Sequence, residues 1–325
     1  MNRILVVMVT SMGDIVHAQP IVSDLHRAFP GIKIDWAADA AFVDILRWNP
    51  LIDRVICAPL RRFKKTRDPA DLKAIVSTII WLRRVKYDAV LDLHGVYKSA
   101  IISSLARARL RYGYRTDELG EPGAAFAYNR RFAPREDISV VDRLRRTVSE
   151  ALGYALNERP EFNLHIPEPA FVPLAAGQAQ LALLFHATSK SEKKWPAGHW
   201  REIAQSLSVW GMTPLLPWGN ESEKGEARAI AQEVEGVVIL PRLSIEEVAH
   251  YIKRSAVVIG TDTGFAHLAS ALGVPTVMVF TATARRQFGV NVPGVSLSVG
   301  DSGQPPSIDE VLNAVQIVMR KRELL

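Results

Sequence analysis

Short apolar runs alternate with longer stretches in which apolar residues recur every three or four positions. The first forty residues set the pattern. An apolar run, RILVVMV (3–9), gives way to a polar turn, TSMGD (10–14). A periodic segment, IVHAQPIVSDLHRAF (15–29), then ends at Pro30-Gly31, and a second apolar run, IKIDWAA (32–38), follows. Short apolar runs between turn signals read as buried strands and the 3.6-residue period as a helix, so this is a β-α-β unit. YDAVLDLHG (87–95) repeats the strand signal, and VYKSAIISSLARA (96–108) the helical one.

After residue 180 the alternation restarts. Strands are predicted at LALLF (181–185), TPLLPW (213–218), VVIL (237–240), AVVIG (256–260) and PTVMVF (275–280). Helices are predicted between them at GHWREIAQSLSVW (198–210), ESEKGEARAIAQEV (221–234), SIEEVAHYIKR (244–254) and FAHLASAL (265–272). IDEVLNAVQIVMRKREL (308–324) is a last helical segment. Two such series predict an α/β protein with two doubly wound parallel sheets, whose ligands bind beyond the carboxyl ends of the strands. The stretch between the series, NERPEFNLHIPEPAFVPLAAGQAQ (157–180), is rich in proline and lacks a long period. It marks the boundary, giving domains 1–165 and 166–325, with the final helix a candidate to pack back on the first. A chain of 325 residues is also too long for one ordinary core.

Composition narrows the class. At 48% hydrophobic and 23% charged residues, the chain reads as a soluble globular protein. No unbroken apolar stretch reaches the roughly 18 residues of a spanning helix. The opening apolar run turns polar early and has no small-residue cleavage pattern, so it reads as a strand and not a signal. Cys57 is alone, which excludes an internal disulfide and permits a reducing compartment. A cytoplasmic protein is expected.

The net charge of +6 is uneven: residues 1–160 carry 26 Lys and Arg against 18 Asp and Glu, and residues 161–325 carry 14 against 16. RRFKK (61–65), RARLRYGYR (107–115) and DRLRR (142–146) supply the excess. Each cluster alone reads as a solvated helix face, but several in one half suit an anionic partner. Nucleic acid is not expected, because no recognition motif and no interleaved aromatic pattern accompany the charge.

Three polar knots stand where a strand hands over to a helix. In TDTG (261–264) the helix N-terminus offers unpaired N–H groups and a positive dipole end, which suit a phosphate. Thr263 and Gly264 allow close backbone approach there; Asp262 accepts from hydroxyls or orders the loop. An Asp or Thr cap with a core-facing His267 explains the same spacing. In HATSKSEKKWPAGHW (186–200), Thr188 and Ser189 end a strand, and Lys193 or Lys194 is a point charge for a pyrophosphate or a solvated loop lysine. In TSMGD, Gly13 relaxes the turn and Asp14 opens the helix, either as a cap or as a general base toward a hydroxyl. Neither G-x-G-x-x-G nor G-x-x-x-x-G-K-[ST] is present, so dinucleotide and P-loop fingerprints are absent.

TSMGDIVHAQP (10–20), HATSKSEKKWPAGHW and GTDTGFAHLASALGVPTVMVF (260–280) resemble the ADP-heptose:lipopolysaccharide heptosyltransferases. RRFKK, YDAVLDLHGVYKSA, EPGAAFAYNRR, LPWGNESEKGEARAIA and LPRLSIEEVA fit in the same order, so the resemblance spans nearly the whole chain. S-M-G-D followed by Val16 and His17 favours the branch that adds the first heptose.

The resemblance implies the glycosyltransferase B arrangement, two Rossmann-like domains facing across a cleft, with the acceptor on the N-terminal side and the nucleotide sugar on the C-terminal side. It gives Asp14 the role of catalytic base, Lys193 a donor phosphate and Glu223 the nucleoside ribose. Asp262, Thr263, Gly264 and His267 are assigned to the pyrophosphate and sugar, and Thr188 and Ser189 to the same pocket. Ser11, Gly13, Arg61, Arg62, Lys64 and Lys65 are assigned to the acceptor, Kdo2-lipid A, whose phosphates and carboxylates are anionic. Two positions depart from the family pattern: Met8 where a Lys is usual, and Gly120 where an Arg is usual. The implied reaction is an inverting transfer of heptose from ADP-heptose, a co-substrate, to the inner Kdo, with no cofactor and no metal; no D-x-D pair occurs. Peripheral contact with the cytoplasmic face of the inner membrane is expected. The alternatives are addition of a later heptose and a nucleotide-sugar epimerase of the same fold.

Overall fold

The computed structural model describes residues 1–57, 60–168, 180–188, 190–290, 292 and 294–322; of Leu60, Arg61, Arg62, Lys321 and Arg322 it describes only the backbone. The chain divides into two compact units, Met1–His165 and Ile166–Leu325.

In the first unit the elements are β1 (Arg3–Val7), α1 (Met12–Ala18), α2 (Pro20–Ala28), β2 (Lys33–Ala38), α3 (Val43–Arg47), β3 (Arg54–Cys57), α4 (Leu60–Thr66), α5 (Pro69–Arg84), β4 (Lys86–Asp92), α6 (Tyr97–Leu105), β5 (Arg107–Gly113), β6 (Arg130–Arg131) and α7 (Val140–Leu152). The second unit holds β7 (Gln180–Phe185), α8 (Ala197–Val209), β8 (Met212–Leu216), α9 (Glu221–Ala231), β9 (Val238–Ile239), α10 (Ile245–Arg254), β10 (Val257–Thr261), α11 (Gly264–Ala271), β11 (Thr276–Phe280), α12 (Arg285–Phe288), β12 (Ser296–Gly300) and α13 (Ile308–Arg322).

Each unit is built on a six-stranded parallel sheet, in the orders β3-β2-β1-β4-β5-β6 and β12-β11-β10-β7-β8-β9. This is one topology used twice, the Rossmann-like doubly wound order expected from the sequence. The order reverses once in each sheet, between β1 and β4 and between β7 and β10. Central strands of such a sheet are covered on both faces, which is why they read as unbroken apolar runs. Ile4, Leu5, Val6 and Val7 of β1, and Val257, Val258 and Ile259 of β10, are fully buried.

The segment 15–29 is two helices. Pro20 has no N–H to continue α1 and opens α2 instead. Gln19 at the joint is buried; its side chain donates to the Ile15 carbonyl at 3.2 Å and accepts from Asn49 at 2.9 Å. The helical reading of 96–108 stops at Leu105, and Arg107–Gly113 within the basic cluster is strand β5. The third cluster lies on α7, where Arg145 is a core residue. Its guanidinium donates to both oxygens of Asp24, at 2.7 and 2.9 Å, and to the Glu158 carbonyl at 2.8 Å. Residues 158–165 have no regular structure but are stitched to the unit by Ser23 to Glu161, Asn49 to Phe162 and His165 to Trp48. The final helix buries an apolar side in its own unit: Val311, Ala314, Val315 and Val318 lie in a core with Val257, Val277 and Trp200.

Candidate functional site

The reversal point of a doubly wound sheet leaves a crevice at the carboxyl ends of its two middle strands. In the first unit the segments leaving β1 and β4 there are Thr10–Asp14 and Asp92–Gly95. Asp14 stands in the first turn of α1 and is half-buried. Its Oδ2 accepts from the backbone N–H of Ser11 at 2.7 Å and from the Ser11 hydroxyl at 2.8 Å. Asp14 is therefore not the opening cap, which is Ser11, but the third helical residue, whose carboxylate closes the capping box. It leaves Oδ1 without a partner among the described residues, so capping does not preclude service as a base. Gly13 sits beside it in the same turn.

Three groups missed by the sequence reading surround Asp14. It acts electrostatically on His94, Tyr114 and Arg143. His94 follows β4 and meets the Thr10 hydroxyl at 3.5 Å. Burial pulls the His94 imidazole below its usual value, against the carboxylates of Asp92 and Asp14, so it is neutral at pH 7. Burial pushes the Tyr114 hydroxyl up to about 12, and burial lowers Arg143. Beneath them Asp92 is fully buried. Its Oδ1 accepts from the N–H groups of His94 and Gly95 at 3.1 and 3.0 Å, and its Oδ2 from Ser103 and Tyr128 at 2.9 and 2.8 Å. Burial nevertheless raises the Asp92 carboxyl above its usual range. The only sequence signal for this cluster was the abrupt polar end of the apolar run at 92–95.

Of the acceptor candidates, Lys64 and Lys65 are exposed on α4, and no described contact joins them to Asp14. The side chains of Arg61 and Arg62 lie outside the described residues. Met8 is 3% exposed and belongs to the core. Gly120 is exposed, and a Cβ there would lie 3.3 Å from a Val96 methyl.

In the second unit the knots of β7 and β10 are joined. Lys193 donates to Oδ2 of Asp262 at 2.6 Å, Thr283 donates to the same oxygen at 2.7 Å, and His267 meets Oδ1 at 3.1 Å. Burial opposes the charge on Asp262, but the bonds from His267, Lys193 and Thr283 outweigh it and hold the carboxyl well below the usual carboxylate range. Asp262 is therefore not the helix cap. Thr263 is, and it makes no side-chain capping bond, which leaves the first amides of α11 open beside Gly264. Of the two adjacent lysines, Lys194 pairs with Glu226 on α9, so Lys193 is the one that belongs to the knot. Thr188 is half-buried after β7; Ser189 lies outside the described residues. Glu223 closes the cap of α9, accepting from the Gly219 N–H and from the Asn220 side chain, both at 2.7 Å. Its backbone carbonyl meets His186, the first residue after β7, at 3.2 Å. Thr283, which follows β11, carried no sequence signal.

A locked carboxylate, a lysine and an open helix N-terminus stand together here, an arrangement whose chemistry suits a phosphorylated ligand. Among the described residues no three His, Cys, Asp or Glu side chains gather as around a metal ion.

Two Rossmann-like sheets with these knots define a two-domain transferase fold of the glycosyltransferase B class. Residues 76–303 match Glycosyltransferase family 9 (heptosyltransferase), and the chain belongs to that family. Lipopolysaccharide heptosyltransferase 1 of Escherichia coli K12 is 33% identical over 86% of this chain and 88% of its own. The protein of that name from Pseudomonas aeruginosa is 33% identical over 86% of this chain and 79% of its own. The structure of E. coli heptosyltransferase WaaC with ADP matches with a TM-score of 0.82 and 29% identity, covering 97% of this chain and 99% of that one.

Proposed function

We propose that the protein transfers heptose from ADP-heptose to the inner Kdo of Kdo2-lipid A, inverting the anomeric centre without a metal. The joined knot of Lys193, Asp262, Thr283 and His267 at the start of α11 carries the reading, because it is built for a phosphorylated donor. Thr188, Ser189, Thr263 and Gly264 line the donor's pyrophosphate and sugar, and Glu223 takes a ribose hydroxyl with the lone pairs its cap leaves free. The matching structures of E. coli heptosyltransferase WaaC contain ADP and ADP-2-deoxy-2-fluoro heptose, which supports the choice of donor.

Asp14 takes the proton of the acceptor hydroxyl, whose oxygen forms the new bond to the anomeric carbon as the bond to ADP breaks on the opposite face. Lys193 and the α11 amides meet the charge that builds on the departing pyrophosphate. The lysines of α4, with Arg61 and Arg62, attract the acceptor's phosphates and carboxylates. The acceptor is a lipid of the inner membrane, so the enzyme works on the cytoplasmic face of that membrane as a peripheral protein. No helix among the described residues is long and apolar enough to cross a bilayer.

The test follows ADP release and acceptor mass with ADP-heptose and Kdo2-lipid A, alone and together. One heptose gained, with ADP release that needs the acceptor, is the expected result. Turnover only on an acceptor that already bears a heptose would move the assignment to a later step. Asp14→Ala is expected to fold normally and to lose turnover by about 10²-fold or more; near-normal turnover would remove Asp14 from the mechanism.

A further inference from the structure

α5 carries a face that the fold does not use. Leu72, Val76 and Ile80 stand four residues apart, so they line one side of the helix, and they are 48, 45 and 44% exposed. Asp71 and Leu82 on the other side are buried. Single exposed apolar residues are ordinary, but three in a row make a continuous ridge. Lys73, Arg83 and Arg84 share the exposed side of the helix, with no exposed carboxylate among them. Lys64 and Lys65 on the preceding α4, and Arg67 just after it, are exposed as well, and α4 packs against α5. The acidic residue between the two helices, Asp68, caps α5 through the Ala70 N–H at 2.8 Å. The next helix, α6, exposes Tyr97 and Ile101, at 51 and 48%.

We propose that α5 is a membrane-docking helix. The Leu72, Val76 and Ile80 ridge enters the interface of an anionic bilayer, and the basic side chains beside and before it meet lipid headgroups. An apolar ridge with basic flanks is the composition of helices that lie in a membrane surface, where apolar burial and attraction to anionic lipid add. A second copy of the chain fits the ridge poorly, because docking it would bring the same basic side chains face to face. The proposal rests on the lipid acceptor proposed above and adds the element that brings the enzyme to it.

The full chain is floated with vesicles of phosphatidylglycerol and phosphatidylcholine, and with phosphatidylcholine alone, beside a variant carrying Leu72→Gln, Val76→Gln and Ile80→Gln. Glutamine keeps helix propensity, and all three positions are exposed. The same preparations are assayed for transfer to a deacylated, water-soluble acceptor. The expected result is binding of the unaltered protein to the anionic vesicles, a fall of about tenfold in the variant, and equal transfer by both. Added salt should remove most of the variant's residual binding and only part of the original. Equal flotation of the two proteins, no flotation of the unaltered protein, or a concentration-dependent dimer that the variant abolishes would each overturn the proposal. An unaltered protein that floats as expected but transfers nothing to the soluble acceptor would overturn the function proposed above and leave the docking surface standing.

Discussion

Lys193 and Asp262, 69 positions apart in the chain, are joined by a hydrogen-bonded ion pair of 2.6 Å. The carboxylate does not depend on the lysine alone, because Thr283 holds the same oxygen and His267 the other. A lysine so placed can turn toward a donor phosphate and leave its former partner still hydrogen-bonded.

Lys193→Ala is therefore expected to lower kcat/KM for the donor by about 10²-fold, since a charge that meets the leaving group is removed. The cost in stability should be small, because Thr283 and His267 remain on the carboxylate. Donor titrations at fixed acceptor, with thermal melts of the same samples, check both halves. An unchanged kcat/KM would assign the phosphate to another cation.

Asp262 itself makes a signed prediction about pH. Its folded value lies below the ordinary 3.8, so its charge adds stability that is whole above the unfolded value and is lost as pH falls through the folded one. Asp262→Asn should cost about 1.5–3 kcal/mol, the worth of hydrogen bonds to a charged group. That gap should narrow as pH falls below about 4. Urea titrations on both sides of that pH measure it; a gap that does not narrow there would contradict the assignment.

Asp92 predicts the opposite trend. Burial raises its folded value, so stability is lost as pH climbs through the carboxylate range. In Asp92→Asn the carbonyl keeps the N–H groups of His94 and Gly95, and the amide can donate to the hydroxyls of Ser103 and Tyr128, which accept as well as donate. Relative to the original protein, the variant should gain stability as pH rises above about 4. A difference that is flat with pH would show that the carboxylate is not strained by its burial.

Arg145 and Asp24 are 6 and 4% exposed at the side chain. Arg145→Leu removes the close partner of buried Asp24 and leaves Arg27, at 3.7 Å, as its remaining counter-charge, so it should cost about 3 kcal/mol in urea unfolding. Adding Asp24→Leu should recover most of the loss, because no uncompensated charge is then left inside. A double variant as unstable as the single one would mean that the lost bond to the Glu158 carbonyl is the larger effect.

The strand ends and the polar knots were readable in the sequence because a covered parallel strand is apolar throughout and stops abruptly. β5 was not. Its residues alternate between exposed and half-buried, so RARLRYG reads as a charge cluster and its pairing with β4 leaves no local trace. Arg145 looks like its neighbours Arg143 and Arg146 until the fold brings Asp24 to it from 121 positions away. The choice between Lys193 and Lys194 was equally closed to inspection, since it depends on which residue the turn at 191–193 aims at Asp262 and which at Glu226. Asp14 was readable as a cap and as a base; the cap is Ser11, and Asp14 closes its box with one carboxylate oxygen, leaving the other for the second role.

The single reversal in each sheet has an arithmetic consequence. Strand order can diverge only once in this topology, so each sheet provides one crevice, however long its loops grow. In the reaction proposed above donor and acceptor take one crevice each, and a chain that repeats the sheet can refit the loops of one without disturbing the strands of the other. Changes of donor and changes of acceptor should therefore arise independently, in separate halves of the gene.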